Sequence, residues 1–201
     1  MKREDKGGAK NSGQSLVELV ILLPVLILLL VGLVEVGMAL HSYLIVTSAS
    51  RDAARFGARG TFTDVQIARH AKESSYGQLD FRTYGPDANT TIIVTRLHIG
   101  TELDNMDDIS YTVYITGLSR PSRVDPLALA TLLKEANDDF NRTLLAEHPD
   151  ALPSAEDVVI VEVYYDHPQV LGAPFIADIL PNPITLYAQT MMRITGVSRI
   201  E

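Results

Sequence analysis

A run of 16 uncharged residues, Leu19–Val34 (LVILLPVLILLLVGLV), limits what this chain can fold into. Past Glu35 the apolar character resumes as VGMAL and ends at Leu40. A helix over Leu16–Leu40 is about 37 Å long at about 1.5 Å per residue, enough to cross a hydrocarbon core of about 30 Å. A core helix of a soluble domain keeps a polar face, whereas this run is apolar all round, so the segment predicts a membrane span.

The flanks orient the span. Lys2, Arg3, Lys6 and Lys10 precede it, with Glu4 and Asp5 among them, and the next basic residues are Arg51, Arg55 and Arg59. This bias predicts a single-pass protein of the inner (cell) membrane with a cytoplasmic N-terminus and an extracytoplasmic C-terminal domain. Tyr43, the first aromatic residue, falls where an interfacial aromatic belongs. Thr47-Ser48-Ala49 is a small-residue patch of the kind a signal peptidase accepts. The apolar stretch is nevertheless far longer than the usual secretory core of about 7–15 residues.

The residues before the span are the most informative. A short polar leader ends at Gly13, and Gln14-Ser15-Leu16-Val17-Glu18 follow. A cut after Gly13 makes Gln14 the first residue and Glu18 the fifth. An acid at the centre of a span costs about 2.5–3.5 kcal/mol on insertion scales, so Glu18 asks for a partner. The new α-amino group of a neighbouring subunit is one, and their pairing neutralises both charges in a low-dielectric setting. The alternative is that Glu18 snorkels to the headgroups. Pro24 removes one backbone hydrogen bond and is expected to bend the helix near Val20–Pro24.

Gly13, the five-residue offset to Glu18 and the immediate apolar helix resemble the class III signal of type IV prepilins and pseudopilins. Val17-Glu18, Leu23-Pro24, Gly32, Val34-Glu35, Gly37, Ala53-Ala54-Arg55, Gly57-Ala58 and Arg59 further resemble the N-terminal motif of TadE-like proteins, minor pseudopilins of tight-adherence (Flp) pili. ITLYAQTMMRIT near the C-terminus more weakly resembles that family's closing strand. Leu19 and Val36 stand where the family commonly has aromatics, and Phe56 where Glu is frequent. The resemblance implies a structural subunit rather than an enzyme, cleaved between Gly13 and Gln14 by a prepilin peptidase. It places Glu18, Pro24 and Glu35 in assembly, in a pilus or a related secretion system. The implied partners are the major pilin, a sister pseudopilin, the membrane assembly platform and the lipid bilayer.

Past Leu40 the helix is expected to continue to about Gly60, with Tyr43, Leu44 and Thr47 on one side leading towards Ala54 and Ala58. Ala49, Ala53, Ala54, Gly57 and Ala58 keep it slim enough for close packing. Arg51, Arg55 and Arg59 recur every four residues as a basic stripe, either solvated or meeting lipid phosphates or acidic groups of a partner. Thr63–Gln66 reads as a capping box opening a helix to about Ser74. Strands are expected at 91–99, 109–117, 157–167 and 184–196. Asp125-Pro126 opens a helix to about His148, with Leu129, Leu132, Leu133, Ala136, Phe140 and Leu144 as its apolar stripe. The long apolar stretch PQVLGAPFIADILPNP is expected to lie against a membrane or partner, or to cover a sheet edge.

The expected architecture is α+β. Residues 1–13 are a leader, 14–60 a transmembrane and extended helix, and 61–201 an extracytoplasmic domain with an antiparallel sheet of about four strands and packed helices. Strand order does not follow from the sequence.

Little suggests chemistry. The five His are scattered, and no zinc spacing, phosphate loop or nucleophile elbow is present. Glu102, Asp104, Asp107 and Asp108 lack the alternation and central Gly of a calcium loop, so they read as a solvated hairpin loop. No metal or other cofactor is expected, and a net charge of −8 argues against a nucleic-acid partner. The chain has no Cys, so the outer domain must cohere without disulfides. Asn89-Thr90-Thr91 and Asn141-Arg142-Thr143 match the glycosylation sequon. The competing functional reading is an uncleaved single-span protein whose outer domain is a binding module.

Overall fold

The computed structural model describes residues 11–169 and 182–195. The chain forms two compact units, residues 1–40 with 168–184, and residues 41–167 with 185–201. One helix, α1 (Asn11–Gly57), begins in the first unit and ends in the second. It is continuous through Pro24, and every residue from Gln14 to Leu30 is exposed. Most of the expected loop 168–183 lies outside the described residues.

The second unit is α+β, as its sequence pattern predicts. After α1 come α2 (Asp64–Ser74), β1 (Thr90–Ile99), β2 (Ile109–Gly117), α3 (Pro126–Glu147), β3 (Glu156–His167) and β4 (Ile184–Arg193). The four strands form one antiparallel sheet in the order β2-β1-β3-β4. The β1–β2 hairpin is local, with Ile99 opposite Ile109, while β3 returns to pair with the other side of β1, Val94 opposite Val161. β1 and β3 are therefore central, and β3 is buried along most of its length.

The caps explain the helix starts. Thr63 and Gln66 close a reciprocal capping box, and the Asp125 carboxylate accepts hydrogen bonds from Leu127 N and Ala128 N at 3.0 and 3.1 Å. Arg96 of β1 donates to Asp64 and to the Phe62 carbonyl, fixing the entry of α2 to the sheet.

The main core lies on one face of the sheet. Val46, Ala49, Ala53 and Ala54 of α1 meet Ile67, Ala68 and Ala71 of α2 over Ile92, Val94, Val159, Val161 and Val163. The inward face of α1 thus runs Ser42, Ile45, Val46, Ala49, Ser50, Ala53, Ala54 and Gly57. This corrects the expected face: Tyr43 and Leu44 are exposed, because the short side chains, not the bulky ones, face the sheet. Ser50 Oγ donates to the Val161 carbonyl at 2.8 Å, a contact across 111 positions of sequence. Phe56, where the related motif favours Glu, stacks between Phe62 (3.7 Å between ring centres) and His70 (4.3 Å), which accounts for an aromatic there.

A smaller core on the opposite face joins Ala130 of α3 to Leu97, Val158 and Ile160. Here the expected stripe holds in part, with Leu129 and Leu133 packed against this core. Leu132 and Phe140 are exposed, and the buried positions of α3 are Ala130, Lys134, Asn137, Asp138 and Asn141. The reason is that this face meets backbone carbonyls, which need donors rather than methyl groups.

Gly57 marks a close approach of α1 to α2 and β3. A Cβ there would stand 2.8 Å from Ile67 Cδ1 and 3.2 Å from Val159 Cγ2. Gly57→Leu is therefore expected to destabilise the fold by about 1–3 kcal/mol through overpacking, read as a lower urea midpoint for the full chain in micelles. Arg59→Leu, at an exposed neighbouring position, should leave the midpoint unchanged.

Candidate functional site

The residues expected to act in processing and assembly all lie on α1. Gly13 and Gln14 are within the helix, and Glu18 is exposed, with Gln14 Nε2 at 3.5 Å from its carboxylate. Pro24 is exposed on the same stretch. Glu35 differs from Glu18: it is only 3% exposed and already has a partner within the chain. Of the two acids that flank the longest uncharged run, Glu18 is thus open and Glu35 closed.

Arg51, Arg55 and Arg59 are exposed, and none makes an ion pair among the described residues. They lie away from the buried Ala and Gly face, at the four-residue spacing the sequence shows. Thr47-Ser48-Ala49 is helical, and Ala49 is in the main core, so a cut after it would remove Val46 and Ala49 from the packing.

The helix is long and apolar enough to cross a membrane, and none of its most apolar stretch is buried. A family model described as TadE-like protein matches residues 13–55. Over this stretch the chain is similar to TadE-like proteins. The match opens at Gly13, takes in Glu18, Pro24, Glu35, Arg51 and Arg55, and stops before Arg59. No curated protein and no solved structure matches the chain. The family match suggests a protein associated with Tad pili, and TadE-like pilus proteins are structural rather than catalytic. One long apolar N-terminal helix is consistent with a single-pass membrane protein.

The second unit holds two polar clusters that sequence reasoning missed. In the first, Lys134 Nζ, wholly buried, reaches Asp138 Oδ1 at 2.6 Å and also donates to the Glu102 carbonyl. Asp138 Oδ2 accepts from Asp104 N at 3.1 Å. Asn137 and Asn141 both donate to the Ser154 carbonyl, at 2.9 and 3.0 Å. The hairpin loop is further closed by Asp108, whose carboxylate accepts from Glu102 N at 2.8 Å and stands where a Cβ on Gly100 would be. Asp104 pairs with Arg142. The acids of the loop expected to be merely solvated are in part its fastenings. Among the described residues no group of three or more His, Asp or Glu is placed to hold a metal ion.

In the second cluster Glu162, fully buried in β3, accepts from Arg123 N and Tyr187 OH, both at 2.9 Å, and from Ser122 Oγ. The Arg123 guanidinium lies 4.2 Å from the centre of the Tyr187 ring. Burial, together with the Glu162 hydrogen bond and charge, pushes the Tyr187 phenol well above its ordinary pKa. Arg120 grips Asp166 through both carboxylate oxygens at 2.7 and 2.6 Å. The segment after β2 is thereby bound to β3 and β4. The signals were present: a single charge inside DVVIVEVYY, and a Lys and an Asp four apart on one helix.

Both sequon asparagines are committed. Asn89 Oδ1 accepts from Arg82 N at 2.9 Å, and Asn141 is wholly buried. Asn141 therefore has no room for a glycan in the folded domain, and the Asn89 amide nitrogen is engaged by the Asp80 carbonyl at 3.1 Å.

Two predictions concern these clusters. Burial raises the Asp138 pKa, but the Lys134 hydrogen bond, the Asp104 amide and the charges of Lys134 and Arg142 outweigh it, and the net result lies below the ordinary value. Its contribution to stability is complete above about pH 4, near the unfolded value, and is lost as pH falls through the lower folded value. Thermal unfolding of Asp138→Asn should therefore depend less on pH below about 4 than that of the parent chain. Glu162→Leu leaves Arg123 N without its acceptor, whereas Tyr187 OH keeps Gln189 Oε1 and Ser122 Oγ keeps the Val124 carbonyl, and should cost about 1–3 kcal/mol in urea unfolding.

Proposed function

We propose that this chain is a minor pseudopilin of a Tad/Flp-type pilus or a related secretion system. It is inserted in the inner membrane with its N-terminus in the cytoplasm, cut after Gly13 by a prepilin peptidase, and assembled with the major pilin and a sister pseudopilin at the membrane platform. The observation that carries this reading is that the TadE-like match opens at Gly13 and continues along the exposed apolar helix.

After the cut, Gln14 supplies the α-amino group and Glu18, the open carboxylate, receives the amino group of a neighbouring subunit. Removing both charges from a low-dielectric surface favours association over isolated burial of either. Pro24 gives the helix a residue able to bend as it passes from bilayer to filament. The basic stripe Arg51, Arg55 and Arg59 meets lipid phosphates or the acids of an adjacent subunit.

N-terminal sequencing of the chain co-expressed with a prepilin peptidase is expected to begin at Gln14. A mature chain beginning at Met1, or after Ala49, would sink the reading. Gly13→Leu should block the cut. Glu18→Ala is expected to insert in the membrane normally but to recover markedly less major pilin on co-purification. Unchanged recovery would assign Glu18 to the headgroups instead.

A further inference from the structure

The outer domain carries a cavity that the assembly reading does not use. It lies between α2, the segment 83–84 and the β1–β2 hairpin, and its volume is about 280 Å³. Arg69 and Lys72 of α2 line it, both exposed, and neither makes an ion pair among the described residues. The carboxylates of the neighbouring 80–87 segment are engaged elsewhere: Arg82 takes Asp80 at 3.2 Å and Asp87 at 3.7 Å. No Asp or Glu lines the cavity. In a chain of net charge −8, two free cations around an acid-free hollow are a local reversal of sign.

The wall has two further features. Thr83 is only 5% exposed, and its hydroxyl makes no hydrogen bond among the described residues. That hydroxyl is not among the buried atoms lacking a partner, so it opens onto the hollow and is free to bond a group held there. Tyr84 is 75% exposed, and its phenolic oxygen accepts from Thr116 Oγ1 at 2.8 Å, which holds the ring at the rim. With Tyr114 beside it and Ile92 in the lining, the hollow offers aromatic and aliphatic surface next to its polar groups.

We propose that this cavity binds a carboxylated pyranose, a sugar of the uronic-acid class. The carboxylate meets Arg69 and Lys72, a ring hydroxyl completes Thr83, and the C–H face of the ring lies on Tyr84. Each part of the ligand answers a part of the wall. A bare phosphate would leave the aromatic surface unused, and a neutral sugar would leave the cations unused. A hollow of about 280 Å³ suits one ring and not a folded segment. Guanidinium and carboxylate form strong, paired hydrogen bonds, so the charged end should dominate the affinity.

The test is ligand-observed NMR and calorimetry on the full chain in micelles, with sodium D-glucuronate, D-glucose and inorganic phosphate as probes. Binding is read directly and does not depend on cleavage at Gly13 or on pilus assembly. Glucuronate is expected to bind saturably, at least tenfold more tightly than glucose or phosphate, and more weakly as salt rises. Arg69→Ala with Lys72→Ala should lower that affinity at least tenfold. Thr83→Val, nearly isosteric, should lower it several-fold with the thermal midpoint unchanged. Absence of saturable binding, equal binding of glucose, phosphate binding as tight as that of glucuronate, or an unaffected double variant would each overturn the assignment.

Discussion

The domain depends on how closely α1 approaches the sheet. Ala49, Ala53, Ala54 and Gly57 present almost no side chain, so the helix backbone comes within reach of β3 and Ser50 bonds directly to a strand carbonyl. Everything else on that face is arranged around this approach. Ile67 fills the space above Gly57, and Phe56 is drawn into a stack with the residues that start and follow α2. One helix is apolar outwards along its first half and small inwards along its last turns. The same secondary structure thus meets two different solvents by changing the size, not merely the polarity, of its side chains.

The opposite face coheres by another principle. Its apolar core is small, and the remaining contacts are hydrogen bonds from Lys134, Asn137 and Asn141 and to Asp138 and Glu162. Such networks contribute modestly when complete and cost heavily when broken, so they specify one arrangement more than they deepen its stability. In a chain with no Cys they do part of the fastening that disulfides do elsewhere. They also fix the β1–β2 loop and the segment after β2, which contain few apolar residues with which to hold themselves down.

The elements themselves were legible because their signals are local. The capping box at Thr63, the Asp125-Pro126 start and the β-branched runs fall within a residue or two of the observed ends. Gly60, with φ of 76°, closes the turn after α1 much as its position suggests. What the sequence hid was decided at a distance. The insertion of β3 beside β1, rather than beside β2, leaves no local mark. The inward face of α3 was read only in part: Leu129 and Leu133 pack as periodicity suggests, whereas Lys134, Asn137 and Asn141 meet carbonyls that a count of methyl groups does not register. Tyr43 and Leu44 were placed on one side with Ala54 and Ala58, but the turn instead directs Ile45 and Val46 inward ahead of the small residues. On α1 the candidate assembly positions come from the spacing together with the resemblance to TadE-like proteins, and the contrast between open Glu18 and closed Glu35 required coordinates.

β2 stands at one edge of the sheet among the described residues, and Ile109–Gly117 contains neither a charge nor a proline. Tyr111, Val113 and Ile115 are each exposed by more than two fifths. Natural sheets usually guard such a margin with lysine, proline or a bulge. Here the guard is not in the strand but in the long-range field of an acidic chain, which keeps like copies apart. That field has a range of about 10 Å at 0.1 M salt and about 3 Å at 1 M. The colloidal behaviour of this protein is therefore a function of ionic strength. In dilute buffer its copies are held apart by charge, and in concentrated salt the bare margin of the sheet decides what they do.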